Sequence, residues 1–269
     1  MKKSLMKSAS ALLFSATLAL TGCLDSGSSG SSSSELKGLD GNWFGTMETQ
    51  DFDIIRLATQ ASNGKITGIS YDDMNWGETG SAQSLGHGAY TYSLNDGTVG
   101  FFFMASDEQS LMMVSPYLDV ALLEKNSSWV STRNLNDLEG SWTGSGYMGR
   151  TAPTEVYRYD ANLLCSSQGE CELKMQGQIE TLDGRPAPNV PVVDSDGRVV
   201  EYNDLSEIQV LVSAEHGERN LFDARVLTST GHDMIGTLLV SNQNQSLVMR
   251  SCTSIQGNWS CDHVFLERD

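Results

Sequence analysis

Cysteine and histidine are the residues of this 269-residue chain best suited to covalent or metal chemistry: five of the first, four of the second. Their spacing decides which chemistry is open to them. Cys165, Cys171, Cys252 and Cys261 form an even set, which in an exported protein reads as two disulfides. Three pairings are compatible with four cysteines. The local ones, Cys165–Cys171 and Cys252–Cys261, are favoured. Each closes a short loop between strand-like segments, where cross-strand cysteines come within bonding distance. A zinc site would need C-x-x-C or paired histidines beside them, and neither occurs. A redox pair needs tight spacing and an electropositive setting, whereas Glu170 and Glu172 flank Cys171. The disulfides therefore read as structural. None of His87, His216, His232 and His263 has a second histidine at a ligand spacing. Each reads as a surface or loop residue, and His232 and Asp233, adjacent in a strand, point to opposite faces. Asp194-Ser195-Asp196-Gly197 resembles part of a calcium loop, but Val192 and Asn203 stand where that loop needs an acid and a glutamate. It reads as a hairpin turn. There is no G-x-S-x-G, no H-E-x-x-H and no phosphate-cradling glycine loop. No catalytic residue, metal site or cofactor is nominated, and the chain reads as a non-enzyme.

The fifth cysteine, Cys23, stands elsewhere. Lys2, Lys3 and Lys7 precede an apolar run from Ala9 to Leu20, too short and weakly flanked for a stable membrane span. The run ends in Leu20-Thr21-Gly22-Cys23. This order of charge, apolar run, small residues and cysteine resembles the lipobox of bacterial lipoproteins. The resemblance implies that residues 1–22 are a cleaved signal peptide. It also implies that Cys23 becomes the first mature residue and carries acyl chains such as palmitate, its link to the membrane. Several chains on one residue hold a protein durably, since each buried CH₂ contributes about 0.8 kcal/mol. Leu24, rather than Asp, follows Cys23. In lipoproteins with this pattern that implies the outer membrane, with Asp25 one place later as the reservation. The periplasmic face and the cell surface both remain open.

Residues 26–34 contain only serine and glycine. They can bury no apolar area, so 23–38 reads as a lipidated tether with a reach of roughly 20 Å. Loss of Lys2, Lys3 and Lys7 leaves 14 Lys and Arg against 34 Asp and Glu, a net charge of −20. Such a chain repels nucleic acid and anionic membrane surfaces. The acids are scattered, as on a solvated surface.

The mature sequence repeats itself. Leu39-Asp40-Gly41-Asn42-Trp43-Phe44-Gly45 matches Leu138-Glu139-Gly140-Ser141-Trp142-Thr143-Gly144, both L-[DE]-G-x-W-x-G. Near the ends, Gly100 and Leu111 correspond to Gly236 and Leu247, and Leu122-Leu123-Glu124-Lys125 to Phe265-Leu266-Glu267-Arg268. The offset grows along the chain, so the second copy carries insertions. One includes the proline-containing stretch 182–205, and the other lengthens the loop between Cys252 and Cys261. The copies are assigned to 39–127 and 135–269. Each reads as short β-rich runs separated by turn signals such as Asn63-Gly64 and Asn95-Asp96-Gly97. Val192-Val193 and Val199-Val200 flank Asp196-Gly197 like a hairpin. The expected fold is all-β: two tandem small antiparallel up-and-down β-barrels, or half-open barrels or sandwiches. Phe101, Phe102, Phe103, Met104, Met112 and Met113 are expected to fill the first.

The G-x-W at the start of each copy resembles the opening motif of the lipocalin and avidin superfamily, the calycins. The resemblance covers about seven residues per copy and the strand pattern. It implies that Trp43 and Trp142 pack across a closed barrel end, each covered by a late basic residue, Lys125 and Arg268. No ligand is carried over from it. Trp76 and Trp129 lie in loop-like settings and are the candidates for contact with a ligand or partner, while Trp259 is expected to rest on its disulfide or barrel. The sequence reads best as a membrane-anchored binding or scaffold lipoprotein, with an envelope protein, a glycan or a small apolar molecule as candidate partner. A carrier of a lipid or other apolar ligand, in the roomier second copy, is the alternative. An envelope hydrolase is the minor one.

Overall fold

The computed structural model describes residues 35–269 except 73, 76, 117–118, 128–131, 150–155, 183–184, 187–190, 194–198, 202–208, 217–218, 229–232 and 256–257. Among the described residues, helix is limited to two 3-10 turns, Glu35–Leu39 and Leu135–Asp137. No helix among them is long and apolar enough to cross a membrane. Everything else regular is antiparallel strand.

Eight strands form the first ring: β1 (Gly41–Glu48), β2 (Ile54–Ser62), β3 (Lys65–Tyr71), β4 (Gly80–Gly86), β5 (Ala89–Leu94), β6 (Val99–Met104), β7 (Ser110–Val114) and β8 (Val120–Lys125). Each pairs with the next, and β1 pairs with β8 to close the ring. A two-residue strand, Met74–Asn75, adds to β3. Eight more form the second ring: β9 (Gly140–Gly149), β10 (Val156–Cys165), β11 (Glu170–Thr181), β12 (Gln209–His216), β13 (Leu221–Thr228), β14 (Asp233–Val240), β15 (Ser246–Ile255) and β16 (Asn258–Arg268). They close as a barrel in chain order. In the first ring, tight turns bring several strands back beside their predecessors. At the β2–β3 turn, Asn63 and Gly64 both take positive φ, 50° and 72°, the conformation that Asn-Gly supplies cheaply.

The two rings correspond strand for strand, and their inserts share one place. Between the third and fourth strands the first ring holds Met74–Asn75. The second holds a hairpin in which Pro191–Val193 pairs with Val199–Glu201. The longer second copy is built differently from the expectation at its other insertion. The described residues between Cys252 and Cys261, 253–255 and 258–260, do not lengthen a loop. They extend β15 and β16, which stay paired out to Ile255 and Asn258. Added residues that keep the ladder satisfy their own backbone groups, which a longer loop would leave to water. The end of the expected tether is also folded. Glu35–Leu39 forms the first 3-10 turn, with Gly38 and Leu39 buried and Leu36 against the first core.

Each ring is filled by its own side chains. Trp43, Met47, Leu57, Ile69, Tyr92, Phe102 and Met113 lie in the first core. Trp142, Tyr159, Leu173, Val212, Phe222 and Met249 lie in the second. A third apolar cluster joins the rings. Phe103, Met112, Val120 and Leu122 of the first meet Leu221, Leu239, Val248 and Phe265 of the second. The six residues expected to fill the first barrel are therefore divided. Phe102 and Met113 point inward with Met104 packed beside them, whereas Phe101, Phe103 and Met112 face the second barrel. Strand side chains alternate between faces, so a continuous apolar run marks a strand buried on both. Phe103 stacks on Tyr147 with ring centroids 3.7 Å apart.

Candidate functional site

The duplicated tryptophan motifs occupy equivalent surroundings. Trp43 Nε1 donates to the Leu39 carbonyl at 2.8 Å, and Trp142 Nε1 to the Leu138 carbonyl at 2.9 Å. Lys125 Nζ lies 5.4 Å from the Trp43 ring and donates to the Gly38 carbonyl at 2.9 Å. The Arg268 guanidinium lies 4.1 Å from the Trp142 ring and donates to the carbonyls of Asp137, Glu139 and Asn244, each at 2.7 Å. Both tryptophans are fully buried. In each motif the second glycine is required by close approach. A Cβ at Gly45 would come within 1.9 Å of the Leu122 carbonyl oxygen, and one at Gly144 within 2.1 Å of that of Phe265.

The cysteines are bonded Cys165–Cys171 and Cys252–Cys261, each pair directly opposite across two neighbouring strands. His87 lies exposed in a turn. His263 departs from the expectation of a surface or loop residue: it is buried within β16, opposite Arg250. Its neighbour Phe265 faces the first barrel, and β-alternation turns His263 the same way. Cys23, Trp76, Trp129 and His232 lie outside the described residues, as do the side chains of His216 and Trp259. Among the described residues no group of three or more His, Cys, Asp or Glu side chains could hold a metal ion.

Polar groups pin the two barrels together. Glu48 and Arg250 form an ion pair at 3.3 Å, Thr237 donates to Glu48, and Thr46 donates to Asn220 Oδ1 at 2.7 Å. The Glu124 carboxylate accepts the backbone N–H of Asn242 at 2.8 Å, and Glu267 accepts that of Ser106 at 2.9 Å. Burial pushes the Glu124 carboxyl up, against the pull of the Asn242 and Gln243 N–H groups. These contacts consume their partners within the chain and offer nothing outward. Inside the second barrel, Asp262 lies on the inward face of β16 with Val264 and Leu266, and burial pushes its carboxyl up to about 6. Tyr159 crosses Gly146, where any Cβ would meet its ring.

The outward-facing feature is on the outer wall of the second barrel, across β10 to β14. Five large apolar side chains among the described residues are exposed. Four share this wall: Leu164 (60 %), Leu211 (55 %), Ile235 (54 %) and Leu227 (39 %). Leu164 of β10 stands opposite Glu172 of β11, which stands opposite Leu211 of β12, which stands opposite Leu227 of β13. In the next row, Glu170 faces Ser213, Ser213 faces Arg225, and Arg225 faces Ile235 of β14. An open groove of about 670 Å³ runs across β10 to β13, lined by Leu164, Glu170, Glu172, Leu211, Arg225 and Leu227 among others. The matching registers of the first ring place Gln60 and Val99 at the positions of Leu164 and Ile235, and one residue beyond the paired ends of β4 and β5, Thr79 and Asn95, joined by a backbone hydrogen bond, fall in line with Leu211 and Leu227. Three of the four are polar, so the wall is special to the second copy. Sequence reasoning missed it. The available signal was the doubled apolar pairs Leu163-Leu164, Leu211-Val212, Val226-Leu227 and Met234-Ile235, which break the alternation of a strand with one wet face.

The fold and this wall define a class: two eight-stranded antiparallel barrels in tandem, with an apolar patch on one. No family model matches the sequence, and the comparison with curated proteins returns no match. Among solved structures, the chain is similar to a single-site mutant of the vaccine antigen Transferrin Binding Protein B from Haemophilus parasuis. The TM-score is 0.42 and identity 7 %, over 84 % of this chain and 45 % of that one. It is also similar to a protein with unknown function of the DUF3598 family from Nostoc punctiforme, with TM-score 0.33 and 13 % identity over 88 % and 98 % of the two chains. This chain spans less than half the length of the transferrin-binding chain it matches.

Proposed function

We propose that this protein is a lipid-anchored envelope lipoprotein of the outer membrane that acts as a non-enzymatic binding module, held by acyl chains on Cys23. Its working surface is the outer wall of the second barrel, and its partner is another macromolecule. Residues 39–127 form a first domain whose part is to brace the second, 135–269, through the shared apolar and polar junction. Trp43 and Trp142, with Lys125 and Arg268 above them, close one end of each barrel.

The carrying observation is the concentration of four exposed large apolar side chains on one wall, three of them lining one groove, where three of the four matching positions of the sister barrel are polar. Contiguous exposed apolar surface has a free-energy cost in water and marks interaction sites. Interiors occupied by packed side chains favour this reading over a carrier of apolar ligands.

The test is affinity capture of the acylated protein from intact envelopes, comparing the natural chain with a Leu211→Asp, Leu227→Asp variant. A stoichiometric macromolecule retained by the natural chain and lost by the variant is the expected result. Equal recovery by both, or a co-purifying lipid alone, overturns the proposal.

A further inference from the structure

We propose that the inside of the second barrel, at the end away from Trp142, binds a primary alkylammonium group through Asp262, Tyr159 and Ser251. This site is separate from the outer wall and does not depend on it.

The barrel interior is tight at one end and loosens toward the other. Trp142 and Arg268 stand at the tight end. Asp262 lies six residues back along β16 from Arg268, a separation of about 20 Å at strand rise. Exposure of the inward side chains grows in that direction. It is 0 %, 1 % and 8 % at Leu247, Met249 and Ser251 of β15. On β16, Leu266 and Val264 are buried while Asp262 is half-buried. Met175 of β11 and Met234 of β14, opposite the inward Ala161 and Val226, are half-buried as well. The packed apolar core therefore gives way past Val264, and the polar groups lie at that border.

Three oxygen-bearing side chains converge there. Ser251 stands directly opposite Asp262. From the other side, Tyr159 of β10 lies across Gly146 of β9, where a Cβ would meet its Oη at 2.3 Å. Gly146 pairs with Val264 of β16, so the ring carries its hydroxyl over the strand that borders Asp262. Burial first, and the Asp262 charge second, push this phenol well up. Tyr159 is 3 % exposed, and its Oη has no hydrogen-bond partner. Burial alone raises the Asp262 carboxyl, with no cation and no donor among the described residues pulling against it. A buried polar group left unpaired carries a desolvation cost, which a ligand that pairs with both groups removes.

The acceptors define that ligand. One carboxylate supplies one negative charge, so its complement is a monovalent cation. Among the described residues no group of three or more His, Cys, Asp or Glu side chains could hold a metal ion. Oxygens from three side chains match the three N–H donors of a primary ammonium. A guanidinium spreads five donors in a plane and leaves two of them unmet. Met175 and Met234 offer adaptable apolar surface to an alkyl stem. A free alkylamine and the lysine side chain of a partner share this chemistry.

The probe is n-pentylammonium chloride, titrated calorimetrically at pH 7.5 into the full-length acylated protein in phosphatidylcholine nanodiscs, with empty nanodiscs as the blank. Saturable one-to-one binding is expected, at least ten-fold weaker to Asp262→Asn and at least three-fold weaker to Tyr159→Phe. Near-UV circular dichroism checks that both variants keep their fold. 1-Pentanol, the same stem without the charge, should give no saturable heat. A Gly-Lys-Gly peptide with blocked ends separates the two sources: binding tighter than pentylammonium assigns the site to a partner's lysine, and weaker binding assigns it to a free amine. No saturable binding of either amine overturns the proposal. So does binding unchanged in Asp262→Asn, equal binding of pentanol, or full displacement of pentylammonium by equimolar potassium, which marks a site for any monovalent cation.

Discussion

Arg250 of the second barrel and Glu48 of the first meet at 3.3 Å with side chains 2 % and 1 % exposed. The guanidinium also donates to the Thr49 carbonyl at 3.1 Å and lies 5.1 Å from the Phe52 ring. Burial pushes the Glu48 carboxyl up, and Thr237 and Arg250 pull it back down. A buried ion pair adds little over an apolar pair of the same size, but removing one partner strands a charge at about 3–5 kcal/mol. Arg250→Met alone should therefore lower unfolding free energy by that amount. Arg250→Met with Glu48→Leu should recover most of it. Urea denaturation of the four species of this cycle measures the difference, and equal losses in the single and double variants would refute it.

The two closed ends should differ in strength. Arg268 makes three bonds to backbone carbonyls and stacks close on Trp142, while Lys125 makes one and sits farther from Trp43. Hydrogen bonds from charged donors are worth roughly 1.5–3 kcal/mol where buried, with steep discounts at partly exposed sites. Arg268→Ala should cost about 2–4 kcal/mol and Lys125→Ala about 1. Arg268→Lys should lie between them. Chemical denaturation midpoints of the three variants decide the order.

The parts of this fold that were legible in the sequence are those set by local chemistry. Asn63-Gly64 specifies its turn because that pair accepts positive φ, and L-[DE]-G-x-W-x-G marks equivalent first strands because the second glycine must admit a neighbouring carbonyl. The junction between the barrels was not legible in this way. Phe101-Phe102-Phe103 reads the same whether one face or both are buried, and nothing local tells which surface its outward rings meet. Leu164 and Leu211 were hidden for the same reason: in one dimension an outward leucine beside an inward one looks like a better core. Comparison of the two copies position by position exposes them, once register fixes Gln60 as the counterpart of Leu164 and Thr79, one residue before β4, falls in line with Leu211. His263 looked like a loop residue because histidine carries no strand signal of its own, although its counterpart in the first copy, Val120, is a buried strand residue.

Removing the two disulfides should have unequal consequences for the wall. Each closes a short loop, with sequence separations of 6 and 9, and loop-closure entropy assigns each about 2–3 kcal/mol. Cys165–Cys171 also ties the hairpin that carries Leu164, Glu170 and Glu172, and both cysteines line the groove. Cys165→Ala with Cys171→Ala should speed amide exchange across residues 160–176 and weaken whatever docks there. Cys252→Ala with Cys261→Ala should destabilise by a similar amount and leave exchange in 160–176 unchanged. Hydrogen exchange by mass spectrometry on both variants reads the contrast.

Asp262 should make the second barrel less stable as the medium becomes neutral. Its carboxyl is raised by burial from 3.8 to about 6, so the native state holds its proton more tightly than the unfolded chain does. The stability it contributes is complete below about pH 3.8 and is lost as pH rises through about 6, at most about 3 kcal/mol in total. Asp262→Asn fixes the neutral form. The variant should match the natural chain near pH 3.5 and exceed it by about 2–3 kcal/mol at pH 7.5, with the gap opening between pH 4 and 6.5. Denaturant unfolding of both proteins across that range isolates this one group, because Glu48 and Glu124 titrate alike in the pair. A constant difference between the two curves would mean that Asp262 is not held in the neutral form by its surroundings.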